Sequence, residues 1–315
     1  MRFRATIENV PIFFRIIQAM EKLQKKCIIK FTETDMHVIC NDEANEGGIQ
    51  VWSVVKVDSI FTSYRIQSNA NNEITVTLST EALLSALRSS SSSASSSSVA
   101  ATILPTYDAD EVVMKLAKKN DQAVLSFEMF GVSRSGRKVR VAHDVRIDVM
   151  RPTEVEKLHE PLCPDPDGAH QVNILLPSLQ KLRTIVERIR PLSNVLVLRA
   201  NNSGKLQLSI NTDTVKLETQ WLKCANPPMT KEGQVPNADD AEDPSLEKPD
   251  PDKLFSVLVS VRSFLQFLNS HVVSTTTIAC LCQNHCAILY VYIGEIADAG
   301  GVLTYYIPTV IDGDD

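Results

Sequence analysis

Apolar and polar positions alternate from the second residue, with Phe3, Ala5 and Ile7 on one side of residues 2–8. That period of two marks a half-buried strand. The spacing then changes to three and four: Phe13, Ile16, Ile17, Met20 and Leu23 predict a helix over 11–26. Pro11 fits its first turn, where a missing N–H would have had no partner anyway. Short β-rich pieces follow at 27–31, 36–40, 49–55, 60–67 and 73–79. Thr80 is read as the cap of a helix over 81–88 that turns Leu83, Leu84 and Leu87 inward. Strands resume at 112–118, 123–130 and 137–149, and Pro152 opens a linker that ends in two prolines and Gly168.

A second series starts at 171 with a strand over 171–176 and a helix over 178–190. Leu179, Leu182, Ile185, Val186 and Ile189 form its apolar stripe, and Pro191 stops it. Strands at 194–199, 206–211 and 214–221 follow, the first pair joined by a turn at Asn202-Ser-Gly204. A strand at 254–259, a helix at 261–269 and strands at 275–282, 286–293 and 302–307 close the series. Both halves therefore read strand, long helix, several strands, short helix, three strands. This is a repeat of architecture without a repeat of letters. It predicts an α+β fold of two similar domains, antiparallel sheets outside and two helices on the inner face of each. The domains are expected at 1–150 and 171–315, with a linker at 151–170.

Two stretches interrupt the pattern. Residues 89–98 are nine serines and one alanine, so 89–100 reads as a solvated insertion. Residues 226–252 are rich in proline and acid and read as a second, disordered insertion. Its part from 230 to 252 holds eight acids and two bases, a net −6 that equals the formal charge of the whole 315-residue chain. The remainder is balanced and has room for a basic surface. The four helical segments sum to +7, which leaves −13 elsewhere. On helix 11–26, Arg15, Gln18, Lys22 and Lys25 step by three, four and three, with Lys26 beside them. Lys181, Thr184 and Arg188 repeat the spacing on helix 178–190, with Arg183 alongside. Arg88 and Arg262 are the bases of the shorter helices. Lysine and arginine on the wet face of a helix are ordinary, and that plain reading stands beside a functional one. The functional reading turns all four faces toward one polyanion, with phosphate contact and no base readout.

Met1-Arg-Phe-Arg-Ala5, Ile39-Cys-Asn-Asp42, Val51-Trp52, Asn71-Asn-Glu-Ile74, His143-Asp144, Glu160-Pro-Leu-Cys-Pro-Asp-Pro-Asp167, Asn226-Pro-Pro228 and Tyr306-Ile-Pro308 occur in this order. In them the chain resembles the Hus subunits of the heterotrimeric checkpoint clamp, the 9-1-1 complex, within the PCNA-like family. The likeness covers nearly all of the chain outside the two insertions. It implies a nuclear, non-catalytic subunit that joins two different Rad-type subunits by edge-strand pairing. The ring so formed encircles double-stranded DNA irrespective of sequence, is placed there by a checkpoint clamp loader that hydrolyses the ATP, and supports kinase signalling and repair enzymes. The DNA-facing residues would be Arg15, Lys22, Lys25, Lys26, Arg88, Lys181, Arg183, Arg188 and Arg262. Two alternatives remain: a β-rich interaction scaffold with incidental helix charges, and a homotrimeric replication clamp.

Catalytic and metal chemistry is not expected, and no cofactor is implied. Cys280, Cys282, His285 and Cys286 lack the paired knuckles of a structural zinc site, and 283–285 reads as a hairpin turn. A Cys286–His285 nucleophile pair is not expected, because neighbours on a strand point to opposite faces, and His143-Asp144 lies in a strand pattern with no convergent acid or nucleophile evident. Gly131-Val-Ser-Arg-Ser-Gly136 lacks the lysine of a phosphate-binding loop and reads as a turn. Seven cysteines at irregular spacing and no leader before Met1 suggest reduced thiols inside a cell. No apolar run approaches the length of a membrane span, so no membrane partner is expected.

Overall fold

The computed structural model describes residues 1–41, 48–90, 107–133, 136–164, 170–228 and 250–310, with the side chains of 107–110 and 133 left aside. The serine tract beyond Ser90, the acidic stretch from 229 to 249 and the tail from 311 fall outside these residues, as do 165–169 of the linker. The chain forms two compact units: residues 1–40 with 53–159, and residues 41–52 with 160–315.

In unit 1, β1 (Arg2–Ile7) leads into α1 (Val10–Glu21). Then come β2 (Lys26–Phe31), β3 (Asp35–Cys40), β4 (Gln50–Lys56), the single turn α2 (Val57–Ile60), β5 (Phe61–Gln67), β6 (Ile74–Ser79) and α3 (Thr80–Ser90). Three long strands, β7 (Tyr107–Lys119), β8 (Gln122–Ser133) and β9 (Lys138–Val149), and the short α4 (Pro152–Val155) complete it. The sheet runs β3-β2-β6-β9-β8-β7-β1-β5, antiparallel throughout. Its apolar face receives α1. Ile7 lies opposite Phe61, whose ring meets Phe13 of the helix edge-on at 6.0 Å.

Unit 2 holds β10 (Gln171–Leu175), α5 (Leu179–Ile189), β11 (Val195–Ala200), β12 (Leu206–Asn211), β13 (Lys216–Trp221), β14 (Phe255–Ser260) and α6 (Val261–Leu268). A 3₁₀ turn at Asn269–Val272 extends α6, and β15 (Thr277–Cys282), β16 (Cys286–Ile293) and β17 (Gly301–Pro308) follow. Its strands form two antiparallel sheets, β10-β15-β16-β17 and β13-β12-β11-β14. Leu182, Phe264, Leu198, Leu208, Leu281 and Leu289 meet between the helices and the strands. The β11–β12 turn needs its glycine: Gly204 sits at φ +81°, and a Cβ there would run into the carbonyl of Cys224.

Four expectations change. The first helix stops at Glu21 rather than 26, because Leu23 is buried and the chain is pulled toward the start of α3. There Thr80 Oγ1 donates to the carbonyl of Gln24 at 2.7 Å, and the Thr80 N–H to that of Lys25 at 3.0 Å. Thr80 is therefore inside α3, and Ser79 Oγ accepts from Ala82 N–H at 3.3 Å in its place. Ser89 and Ser90 belong to α3 and not to the insertion. Their hydroxyls back-bond to the carbonyls of Ser85 and Ala86. Gly131 lies within β8, so the glycine pair does not frame one turn.

Candidate nucleic-acid interface

Each unit presents one pair of packed helices, α1 with α3 and α5 with α6. Asn9 starts α1 by accepting from Ile12 N–H at 3.2 Å. Phe13, Ile16, Ile17 and Met20 are buried, which leaves Arg15 exposed on the far side. In α3 the stripe Leu83, Leu84, Ala86 and Leu87 is buried and Arg88 is exposed in the last turn. In α5 Leu179, Leu182, Val186 and Ile189 face inward, and Lys181 and Arg188 are exposed. Arg262 is exposed at the start of α6.

The structure redistributes the predicted charge. Within the four helices six bases (Arg15, Arg88, Lys181, Arg183, Arg188, Arg262) stand against three acids (Glu21, Glu81, Glu187). The helices themselves carry +3, not +7. The rest sits just past helix ends: Lys22 and Arg190 are the C-terminal caps of α1 and α5, Lys25 lies in the following loop, and Lys26 is already in β2 opposite Ser79. Lys22, Lys25 and Lys26 are thus not part of a helical stripe, although all three are exposed. Cations at a helix C-terminus gain about 0.3–1 kcal/mol from its partial negative charge, so part of this pattern serves folding.

Lys22 and Arg183 are engaged within the chain. Lys22 Nζ lies 2.9 Å from Glu21 Oε2, an exposed pair that holds little energy. Arg183 is half-buried and structural. Its Nε donates to Glu187 Oε1 at 2.8 Å, and its Nη1 donates to Asn269 Oδ1 at 2.9 Å. That fork ties α5 to the turn after α6. The i,i+4 spacing to Glu187 was the available sign of it.

The groups considered for catalysis are otherwise occupied. Asp144 pairs with Lys119 at 2.7 Å, and that hydrogen bond holds its carboxyl below the usual range. Residues 283–285 form the β15–β16 turn, with Asn284 at φ +55° and Cys282 opposite Cys286. The Cys286 thiol is pushed far up by its hydrogen bond with Cys282 and by burial, the reverse of what a nucleophile requires. Gln171 Oε1 accepts from Cys280 at 3.1 Å and Cys163 at 3.4 Å, so these thiols pack around an amide. Among the described residues no three His, Cys, Asp or Glu side chains are placed to hold a metal, and no helix is long and apolar enough to cross a membrane.

A family model described as Hus1-like protein matches residues 1–311. The checkpoint protein hus1 of Schizosaccharomyces pombe is 32% identical over 314 residues, spanning 99% of this chain and 100% of that protein. Checkpoint protein HUS1 of Homo sapiens is 29% identical, spanning 98% and 100%. The fold matches proliferating cellular nuclear antigen from Entamoeba histolytica at a TM-score of 0.63 and 11% identity, covering 98% of this chain and 99% of that one. PCNA from Thermococcus kodakaraensis gives 0.62 at 14% identity, covering 97% and 99%. The expected α+β clamp fold is therefore present, and the chain belongs to the Hus1-like family.

Proposed function

We propose that this checkpoint clamp subunit is one of three different chains in a ring that encircles double-stranded DNA in the nucleus. Two Rad-type subunits would be its neighbours and a checkpoint clamp loader would place it. The ring would then carry kinase signalling and hold repair enzymes, without catalysis by this chain. The observation that supports it is the pairing of a clamp fold with exposed bases on its helices. Arg15, Lys181 and Arg188 stand on the side of their helices opposite the buried stripe. Arg88, Arg262, Lys22, Lys25 and Lys26 add exposed charge on or beside the same helices, and Arg183 holds two of them together. Flexible cations give affinity for phosphate without reading sequence, which suits a contact that must slide.

The decisive variant is Arg15→Glu with Lys181→Glu, in the heterotrimer loaded on nicked circular duplex. Both residues are exposed, so assembly should be spared. Retention after a salt step should fall by about tenfold or more, since each lost phosphate contact lowers the salt-dependent affinity. Unchanged retention would remove the helices from the DNA-facing surface. Purified alone, the chain is expected not to close a ring. A stable homotrimer by mass would favour the replication-clamp reading instead.

A further inference from the structure

The two outermost strands of unit 1 carry a basic cluster that the clamp reading leaves unused. β5 ends the sheet, and β1 is its neighbour. Across this pair Arg4 lies directly opposite Arg65, and Arg2 lies opposite Gln67. All four side chains are exposed. Like charges directly opposite one another on paired strands destabilise a sheet. Folding therefore gains nothing from this arrangement.

The adjacent strand shows what compensation looks like. Lys115 on β7 is the next residue in the row beyond Arg4, and its Nζ lies 2.9 Å from Glu128. The nearby acids are committed elsewhere. Glu111 accepts from Thr6 Oγ1, Glu33 from Asn72 Nδ2, and Glu73 pairs with Lys30. Arg2, Arg4 and Arg65 have no acidic partner among the described residues. They border an open concavity of about 620 Å³ together with Gln67 and Asn72.

The face matters as much as the charge. Phe3, Ala5 and Ile7 point to the side that α1 covers, so Arg2 and Arg4 point away from it. If α1 faces the duplex, as proposed above, DNA inside the ring does not reach these arginines. Cβ atoms of directly opposed residues lie about 5 Å apart. Two guanidinium groups at that spacing can converge on one phosphate dianion, each through paired N–H donors. Arg2, two residues along the same face, is about 7 Å from Arg4, the reach of a neighbouring carboxylate. Among the described residues no strand flanks β5 on its outer side, and such an edge can pair with an extended main chain.

We propose that Arg4 and Arg65 form a binding site for a phosphoserine or phosphothreonine in an extended segment of a partner protein, with Arg2 receiving an acidic residue next to it. Charge complementarity selects this occupant. A phosphomonoester carries nearly two negative charges at one point, where a single carboxylate carries one.

The test uses the full-length chain and a fluorescein-labelled Gly-Ser peptide with one phosphoserine followed by two aspartates. Its unphosphorylated twin and a short DNA duplex serve as competing probes. The phosphopeptide should bind, and Arg4→Ala with Arg65→Ala should weaken it by about tenfold or more, the loss expected for charge-assisted pairs. The same double variant should keep or raise its melting temperature, because a like-charge contact is relieved. Arg146→Ala, an exposed base on β9, should leave binding unchanged. Equal affinity of the double variant, equal affinity of the unphosphorylated twin, or duplex binding lost through Arg4 and Arg65 would each overturn the assignment. Failure here would leave retention of the loaded ring intact, whereas failure of the DNA reading appears only in that retention.

Discussion

The two units solve one problem differently on the sheet face turned away from their helices. In unit 1 that face is ionic and partly open to water. β9 alternates along Lys138–Val149, and Glu128 on β8 gathers Lys115 and Arg140 at 2.9 and 2.6 Å. In unit 2 the same face is closed. β15 is buried at every position, and Cys280, Cys282, Cys286 and Ile288 lie beneath Cys163 and Tyr306. The linker is fastened there by the Tyr306 hydroxyl, which donates to Glu160 Oε1 at 2.9 Å. The acids follow suit. Hydrogen bonds from Lys115 and then Arg140 hold the Glu128 carboxyl down, while burial pushes Glu160 up against the pull of Tyr306. The lesson is that strand pattern reports what covers a sheet: alternation where water does, a continuous apolar run where chain does.

The contrast can be broken by substitution. Ile288→Ala should cost about 2–5 kcal/mol in urea unfolding, because the site is as buried as any core position despite facing away from the helices. A loss near zero would mean that unit 2's outer face is as open as that of unit 1. Glu128→Gln should cost about 1 kcal/mol at neutral pH, the scale of a charge-assisted hydrogen bond with half-exposed partners. The sign with pH is fixed by the lowered pKa. Stability from Glu128 is present above the unfolded carboxyl value of about 4.3 and is lost as pH falls through the folded one. Melting curves of wild type and variant should therefore converge as pH falls through the lowered folded value. A constant gap would show that the side chain acts by packing. Tyr306→Phe should cost least, about 0.5–1 kcal/mol, since Glu160, though partly covered, still reaches solvent and can turn to water. Faster proteolysis within 156–164 would accompany it if the bond fastens the linker.

Much of this was legible in the chain. The strands at 206–211 and 286–293 match their predicted limits, because turn residues bracket apolar runs on both sides. The end of α1 was not legible. Lys22, Lys25 and Lys26 continue the helical spacing, and only the long-range hydrogen bonds from Thr80 show why the helix stops. Nor was the membership of residues 41–52 in unit 2, which depends on contacts distant in sequence. Among the site residues, Arg15, Lys181 and Arg188 were correctly placed on exposed helix faces by periodicity alone. The fork from Arg183 to Asn269 required knowing that α5 and α6 are neighbours. The opposition of Arg4 and Arg65 required strand register, which no local pattern encodes.

The seven thiols give the molecule an internal clock. Cys27 and Cys40 are sealed in unit 1, and Cys280, Cys282 and Cys286 in unit 2, while Cys163 and Cys224 are partly open. Burial alone pushes Cys27 up to about 12, so it is slow to alkylate until its surroundings open. A timed pulse of iodoacetamide during denaturation, read peptide by peptide, would thus record when each half gives way without any engineered label.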